Sequence, residues 1–131
     1  MAGSQLVFVY GTLKRGGTNH AFMSGQVFRG EARTVKGFRH IHLGGYPGLI
    51  PYPQDRDGVA GEVWSVNEAC LARLDELEGV NEGLYSRALI TLEPPYADKT
   101  VFTYIYVSNP TDKPHIDGGA WDESLPGGPV M

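Results

Sequence analysis

Only one stretch of this chain has a helical period, residues 67–78 (NEACLARLDELE); most of the rest comes as strand-length apolar runs cut by 18 glycines and 9 prolines. A chain punctuated this way builds short strands and turns rather than a helical bundle. Gln5–Val9 (QLVFV) is a continuous apolar run stopped by Gly11, which reads as a buried strand. Residues 26–34 and 38–43 are two further strand-like pieces, with Lys36 and Gly37 as the turn between them. Residues 44–53 (GGYPGLIPYP) read as irregular, restricted by three prolines, and apolar enough to pack against the body. After the turn signal at 54–58 (QDRDG), residues 59–66 (VAGEVWSV) form a strand with Val59, Gly61, Val63 and Ser65 on one face. Residues 85–92 and 100–107 are strands separated by Pro94, Pro95, Asp98 and Lys99, and residues 18–24 fit a short helix capped by Thr18 or Asn19. The expectation is roughly six strands and one substantial helix. With few helical crossovers, pairing is mainly antiparallel, giving an α+β class with a closed or nearly closed sheet that leaves few exposed edges.

The 131 residues suit a single domain spanning 1–131, and 41% hydrophobic residues suffice for a core. A net charge of −4 and no basic run argue against nucleic acid as a partner. Cys70 is the single cysteine, so an intramolecular disulfide is excluded. A lone thiol suits a reducing compartment, and its place on an apolar stripe makes it a small core residue. No apolar run reaches the roughly 18 residues of a membrane span, and the N-terminus enters a strand at once, without the pattern of a targeting segment. The expectation is a soluble cytoplasmic protein with no membrane partner, a monomer or weak homodimer. Residues 108–131 lack periodicity, but Ile116 and Trp121 suggest an irregular segment that wraps the body.

Within the helix, Cys70, Leu71, Leu74 and Leu77 form one apolar stripe. Glu78 falls about 40° from its centre at Leu74, Asp75 about 100° away, and Glu76 on the opposite face. Ser65 or Asn67 is the N-cap, Ser65 with Glu68 fits a capping box, and Gly79 fits a left-handed C′ position. A carboxylate on a core-facing stripe is costly unless it is paired or kept for chemistry. Burial and the negative end of the helix dipole both disfavour a carboxylate's charged form, which suits it to general base and then general acid work. Against that stands a helix-end glutamate turned to solvent, or paired with Arg87 or Arg73. Asp75 and Glu82 are its rivals.

Residues 10–17 (YGTLKRGG) form a glycine-bracketed loop after a buried strand, where successive N–H groups could make an anion-binding nest or simply an ordinary turn. It is not a phosphate loop, since Gly17 stands where that motif needs lysine. His40 and His42 share a strand face and could begin a metal site, but no second histidine pair or cysteine cluster accompanies them, and a polar sheet face is the better reading. No serine lies in a Gly-x-Ser-x-Gly elbow, and Cys70 is a poor nucleophile in an apolar stripe.

Residues 7–16 (VFVYGTLKRG) resemble the opening of the gamma-glutamylcyclotransferase-like superfamily, and within it the gamma-glutamylamine cyclotransferase branch. Gly45-Tyr46-Pro47 is similar to its mid-chain Tyr-Pro element, and residues 59–66 resemble its Gly-Glu-Val-aromatic strand. Residues 74–79 (LDELEG) resemble the helix end whose last glutamate is catalytic, and Leu84-Tyr85-Ser86-Arg87 the Leu-Tyr-x-Arg element that follows. The resemblance runs in order from residue 5 to about 107. It implies a small mixed, mainly antiparallel β-barrel with flanking helices. It implies Glu78 as the catalytic residue, with Tyr10, Gly11, Thr12 and Leu13 cradling the substrate's glutamyl end and no metal or organic cofactor. The implied activity is release of 5-oxoproline and a free amine from a small gamma-glutamyl amide or amine. The alternative is a non-catalytic small-ligand binding module on the same fold. The loop amides could hold the substrate α-carboxylate or the oxyanion at the γ-carbonyl. Tyr10 and Tyr85 could shape the pocket or donate hydrogen bonds, and Arg87 could anchor a carboxylate or pair with a neighbour.

Overall fold

A computed structural model of the protein describes residues 4–43 and 46–116. The apolar run Gln5–Val9 forms β1, and its Val7, Phe8 and Val9 are fully buried. β1 lies at the middle of a five-stranded sheet with β2 (Val27–Arg33), β5 (Ala60–Val66), β6 (Tyr85–Ile90) and β7 (Val101–Tyr106), in the order β2-β5-β1-β7-β6. A strand with neighbours on both edges and packing on both faces must be apolar throughout, which is why β1 reads as a run and not as an alternation. β1 pairs antiparallel with β5, Val7 opposite Trp64, and parallel with β7, Val7 opposite Phe102. The β2–β5 and β6–β7 pairs are antiparallel. The mixed, mainly antiparallel α+β class is therefore as expected, with seven strands among the described residues in place of six.

The extra strand comes from the segment read as irregular. Pro47–Pro51 is β4, paired antiparallel with β3 (Phe38–His42) in a separate two-stranded sheet. Its prolines occupy the first and last positions, where a missing N–H costs the ladder least. The described part of the tail lies along the other side of β3: His42 N–H donates to Pro114 O at 2.7 Å, and Ile116 N–H to His40 O at 3.1 Å. The tail thus does pack on the body as far as residue 116; Trp121 lies outside the described residues.

The closed barrel is not formed. β2 and β6 are the sheet's edges, and they meet at one bridge, Thr34 with Leu92. Val35 N–H to Thr91 O and Glu93 N–H to Arg33 O flank it at 3.2 and 2.8 Å. The ladder stops there because Pro94 and Pro95 have no N–H to continue it.

Helix α1 (Glu68–Leu77) follows β5. Its N-cap is Asn67, whose Oδ1 accepts from Cys70 N–H at 2.8 Å. Ser65 is instead held inside β5 opposite Leu6, so the Ser65–Glu68 capping box does not form. Cys70, Leu71 and Leu74 are buried as the stripe requires. The second helical segment is shorter than expected, a single 3₁₀ turn at His20–Met23. Asn19 precedes it without a side-chain cap; its amide donates to Thr12 Oγ1 at 3.3 Å. Among the described residues no helix is long and apolar enough to cross a membrane.

Candidate active site

Glu78 is the C-cap of α1, with helical φ −83° and ψ −1°, and it is fully buried. Three backbone bonds hold it there. Glu78 N–H donates to Leu74 O at 2.9 Å, Gly79 N–H to Glu76 O at 3.1 Å, and Val80 N–H to Asp75 O at 3.1 Å. The last two are the pair of bonds that close a Schellman motif. The motif needs a left-handed residue, and Gly79 supplies it at φ +66°. The solvent-turned reading of Glu78 is thereby overturned: the helix ends at Leu77, the last residue of the stripe, and its C-cap carries the carboxylate inward.

Three tyrosines feel the charge of Glu78: Tyr10 just after β1, Tyr85 at the start of β6 and Tyr104 within β7. Burial raises the Tyr10 phenol well above its ordinary value, and the Glu78 carboxylate raises it further. Tyr85 is raised by burial, then by Tyr10 and Glu78. Tyr104 is raised by burial and by its bond to Asp75, with Glu78 a smaller cause. All three are neutral phenols at physiological pH. Their hydroxyl protons are committed within the protein. Tyr10 OH donates to Tyr104 O at 2.7 Å and accepts from Leu49 N–H at 3.2 Å. Tyr85 OH donates to Pro47 O at 2.8 Å, and Tyr104 OH to Asp75 Oδ1 at 2.6 Å. Tyr10 and Tyr85 therefore tie β4 to the main sheet.

The rivals of Glu78 are accounted for. Asp75 Oδ1 takes Arg87 Nε at 3.1 Å as well as the Tyr104 hydroxyl, so Arg87 pairs with the helix. Glu82 is exposed in the loop after Gly79.

Residues 10–13 are all buried. Three of their carbonyls are engaged by the chain that follows: Gly11 O accepts from Lys14 N–H at 3.1 Å, Thr12 O from Asn19 N–H at 2.9 Å, and Leu13 O from His20 Nδ1 at 3.0 Å. Across a trans peptide the N–H points opposite to the C=O, so the amides of Thr12 and Leu13 face away from residues 14–20. Gly17 lies so close beneath that a Cβ there would sit 2.3 Å from Thr12 O, the physical reason no larger residue occupies the position.

Two supporting residues, Glu62 and Tyr104, escaped the reading of the sequence, and a third, His40, was read differently. Glu62, buried in β5, accepts from Arg15 N–H, Arg15 Nε and Trp64 Nε1 at 3.0, 3.0 and 3.1 Å, pinning the loop to the sheet. An acidic residue inside an otherwise apolar strand was its available signal. Tyr104 carries the carbonyl that Tyr10 uses. His40 is fully buried with its ring 5.6 Å from that of Tyr10, and neither ring nitrogen meets hydrogen-bond geometry among the described residues. Burial, then the positive charge of Lys14, lowers it from 6.5 to about 4; the Tyr10 backbone and Asp55 oppose the shift. The polar-face reading therefore does not hold for His40, whose ring is buried against Tyr10. Among the described residues no three His, Cys, Asp or Glu side chains are grouped to hold a metal ion.

The family model for gamma-glutamyl cyclotransferase, AIG2-like, matches residues 7–123. A putative gamma-glutamylcyclotransferase from Vibrio cholerae is 39% identical over 88% of this chain and 94% of its own length. The gamma-glutamylaminecyclotransferase of Rattus norvegicus is 40% identical over 64% of this chain, which spans only 60% of the rat protein. The crystal structure of an AIG2-like protein from Mus musculus superposes with a TM-score of 0.81 at 27% identity, covering 98% of each chain. With most of its length matched and the fold shared, the chain belongs to the AIG2-like gamma-glutamyl cyclotransferase family.

Proposed function

We propose that the protein releases 5-oxoproline and a free amine from a gamma-glutamyl amide or amine, with Glu78 as the proton-transfer residue. Family membership supports a cyclotransferase activity. The observation that carries the assignment to Glu78 is its complete burial at a helix end, electrostatically coupled to Tyr10 at the head of the loop 10–13. The reaction needs no protein nucleophile, because the substrate's α-amine attacks its own γ-carbonyl carbon and closes a five-membered ring. The protein must hold the substrate folded back, which supplies much of the rate by orientation. It must also remove a proton, since an α-amine is largely ammonium at neutral pH. Glu78 takes that proton and returns one to the leaving nitrogen as the C–N bond breaks. The amides turned away from residues 14–20 are suited to the α-carboxylate or to the oxyanion that forms at the γ-carbonyl. The relatives' names share the gamma-glutamyl group and differ in the amine, one acting on gamma-L-glutamyl-butirosin B. This supports a glutamyl pocket common to the family and an amine pocket of this chain's own.

The test is mass spectrometry of products from a panel of gamma-glutamyl amines. Wild-type protein yields 5-oxoproline from at least one. Glu78→Gln keeps the circular dichroism of the wild type and loses about a hundredfold to ten-thousandfold in turnover. Free glutamate as the product would assign the attack to water, and near-normal 5-oxoproline release by Glu78→Gln would remove Glu78 from the chemistry.

A further inference from the structure

A cavity of about 330 Å³ lies at the opposite end of β1 from the loop 10–13, lined by Leu6, Arg29, Tyr96 and Lys99. Leu6 and Tyr10 fall on the same face of the chain by strand alternation, about 13 Å apart at the usual rise. The cavity is therefore separate from the site around Glu78. Its volume lies in the lower range of small-molecule pockets.

Three features make it a built site. Arg29 is the extra residue of a β-bulge: Phe28 pairs with Trp64 and Gly30 with Val63, leaving Arg29 without a partner in β5. Bulges re-aim a side chain relative to a regular strand. The bulge is clamped, because Tyr96 OH donates to Arg29 O at 2.9 Å. Gly30 makes room for the clamp, since a Cβ there would sit 2.5 Å from the Tyr96 hydroxyl oxygen. Finally, Arg29 and Lys99 enter no ion pair among the described residues, in a chain of net charge −4. Edge strands often carry cations simply to discourage pairing with other chains. That purpose requires neither the bulge nor the aromatic clamp nor a cavity between the two charges.

We propose that this cavity binds a small organic anion, its carboxylate or phosphate held by Arg29 and Lys99 and its apolar body against Leu6 and Tyr96. The planar guanidinium offers two parallel donors to an oxyanion, and Lys99 adds a second positive charge. The proposal is independent of the reaction assigned to Glu78.

It is tested by titrating isotopically labelled full-length protein with phenyl phosphate, benzoate and inorganic phosphate while following backbone amide resonances. Saturable shifts centred on Leu6, Gly30, Tyr96 and Lys99 are expected with phenyl phosphate or benzoate, and the tighter of the two identifies the head group. Inorganic phosphate, without an apolar body, binds more weakly. Arg29→Gln and Lys99→Gln each weaken binding about tenfold, the loss of one charged hydrogen bond. Both side chains are exposed, so the variants fold, and cyclotransferase turnover is unchanged in both. Non-saturating shifts scattered over all basic residues, or unaltered affinity in both variants, would overturn the proposal.

Discussion

His40 and Asp75 illustrate how partners decide what a polar side chain does. Asp75 and Glu78 lie one turn apart on the same helix end. Asp75 is answered by Arg87 and the Tyr104 hydroxyl and is partly exposed, whereas Glu78 is fully buried and its charge is felt by Tyr10, Tyr85 and Tyr104. His40 is buried against Tyr10 and is neutral at physiological pH. Its folded value of about 4 lies below the ordinary 6.5, so the unfolded chain binds the proton first. The stability this group contributes is complete above 6.5 and is lost as pH falls towards 4. We expect a loss of about 3 kcal/mol across that window. Asp55 acts in the same direction at lower pH. Burial opposes its charge, but bonds from Gly58 N–H, Arg39 and Asp57 N–H together hold it below the usual carboxylate range. Chemical denaturation at stepped pH separates the two: His40→Leu flattens the upper part of the acid limb and leaves the lower part. An unchanged limb in that variant would contradict the burial of a neutral imidazole.

At the scale of elements, α1 is governed by its two ends. Asn67 caps the start and Gly79 the finish, and only the finish bears on the role proposed for Glu78. Asn67→Ala removes one side-chain cap and costs about 1 kcal/mol. Gly79→Ala forces a left-handed residue to carry a Cβ, costing about 1–2 kcal/mol. Its Cβ would also lie 3.2 Å from Leu84 Cβ. The two variants should thus lose similar stability in thermal melts. Turnover separates them, with Asn67→Ala retaining kcat and Gly79→Ala losing it because Glu78 is displaced. Equal kcat in the two would show that the Schellman geometry does not position the carboxylate.

At the scale of the whole molecule, the small sheet of β3 and β4 is joined to the large one through the site itself. Tyr10 OH receives Leu49 N–H, Tyr85 OH reaches Pro47 O, and His40 packs on Tyr10. The outer edge of β3 is covered by residues 114–116. Ile116→Pro removes the N–H that donates to His40 O. Hydrogen exchange should then show the His42 amide losing protection while the β1 amides keep theirs. Retained protection at His42 would mean that the edge is held without this contact.

Periodicity alone located α1, its buried stripe and Gly79, and apolar runs located β1 and most other strands, because those signals depend on near neighbours along the chain. The order of motifs pointed to the family for the same reason. Residues 44–53 defeated local reading, since prolines at the two ends of a strand look like prolines in a loop until a partner strand is present. The open seam between β2 and β6 was equally hidden, because closure depends on how far two distant edges can pair before Pro94 and Pro95. The local pattern placed Glu78 on the inward face, but only the tertiary structure brought Tyr10, Tyr85 and Tyr104 within reach of its charge and gave Asp75 its partners Arg87 and Tyr104. Sequence spacing carries the direction of a side chain; its electrostatic environment comes from residues far away in the chain, and those are brought together only by the packing of the sheets.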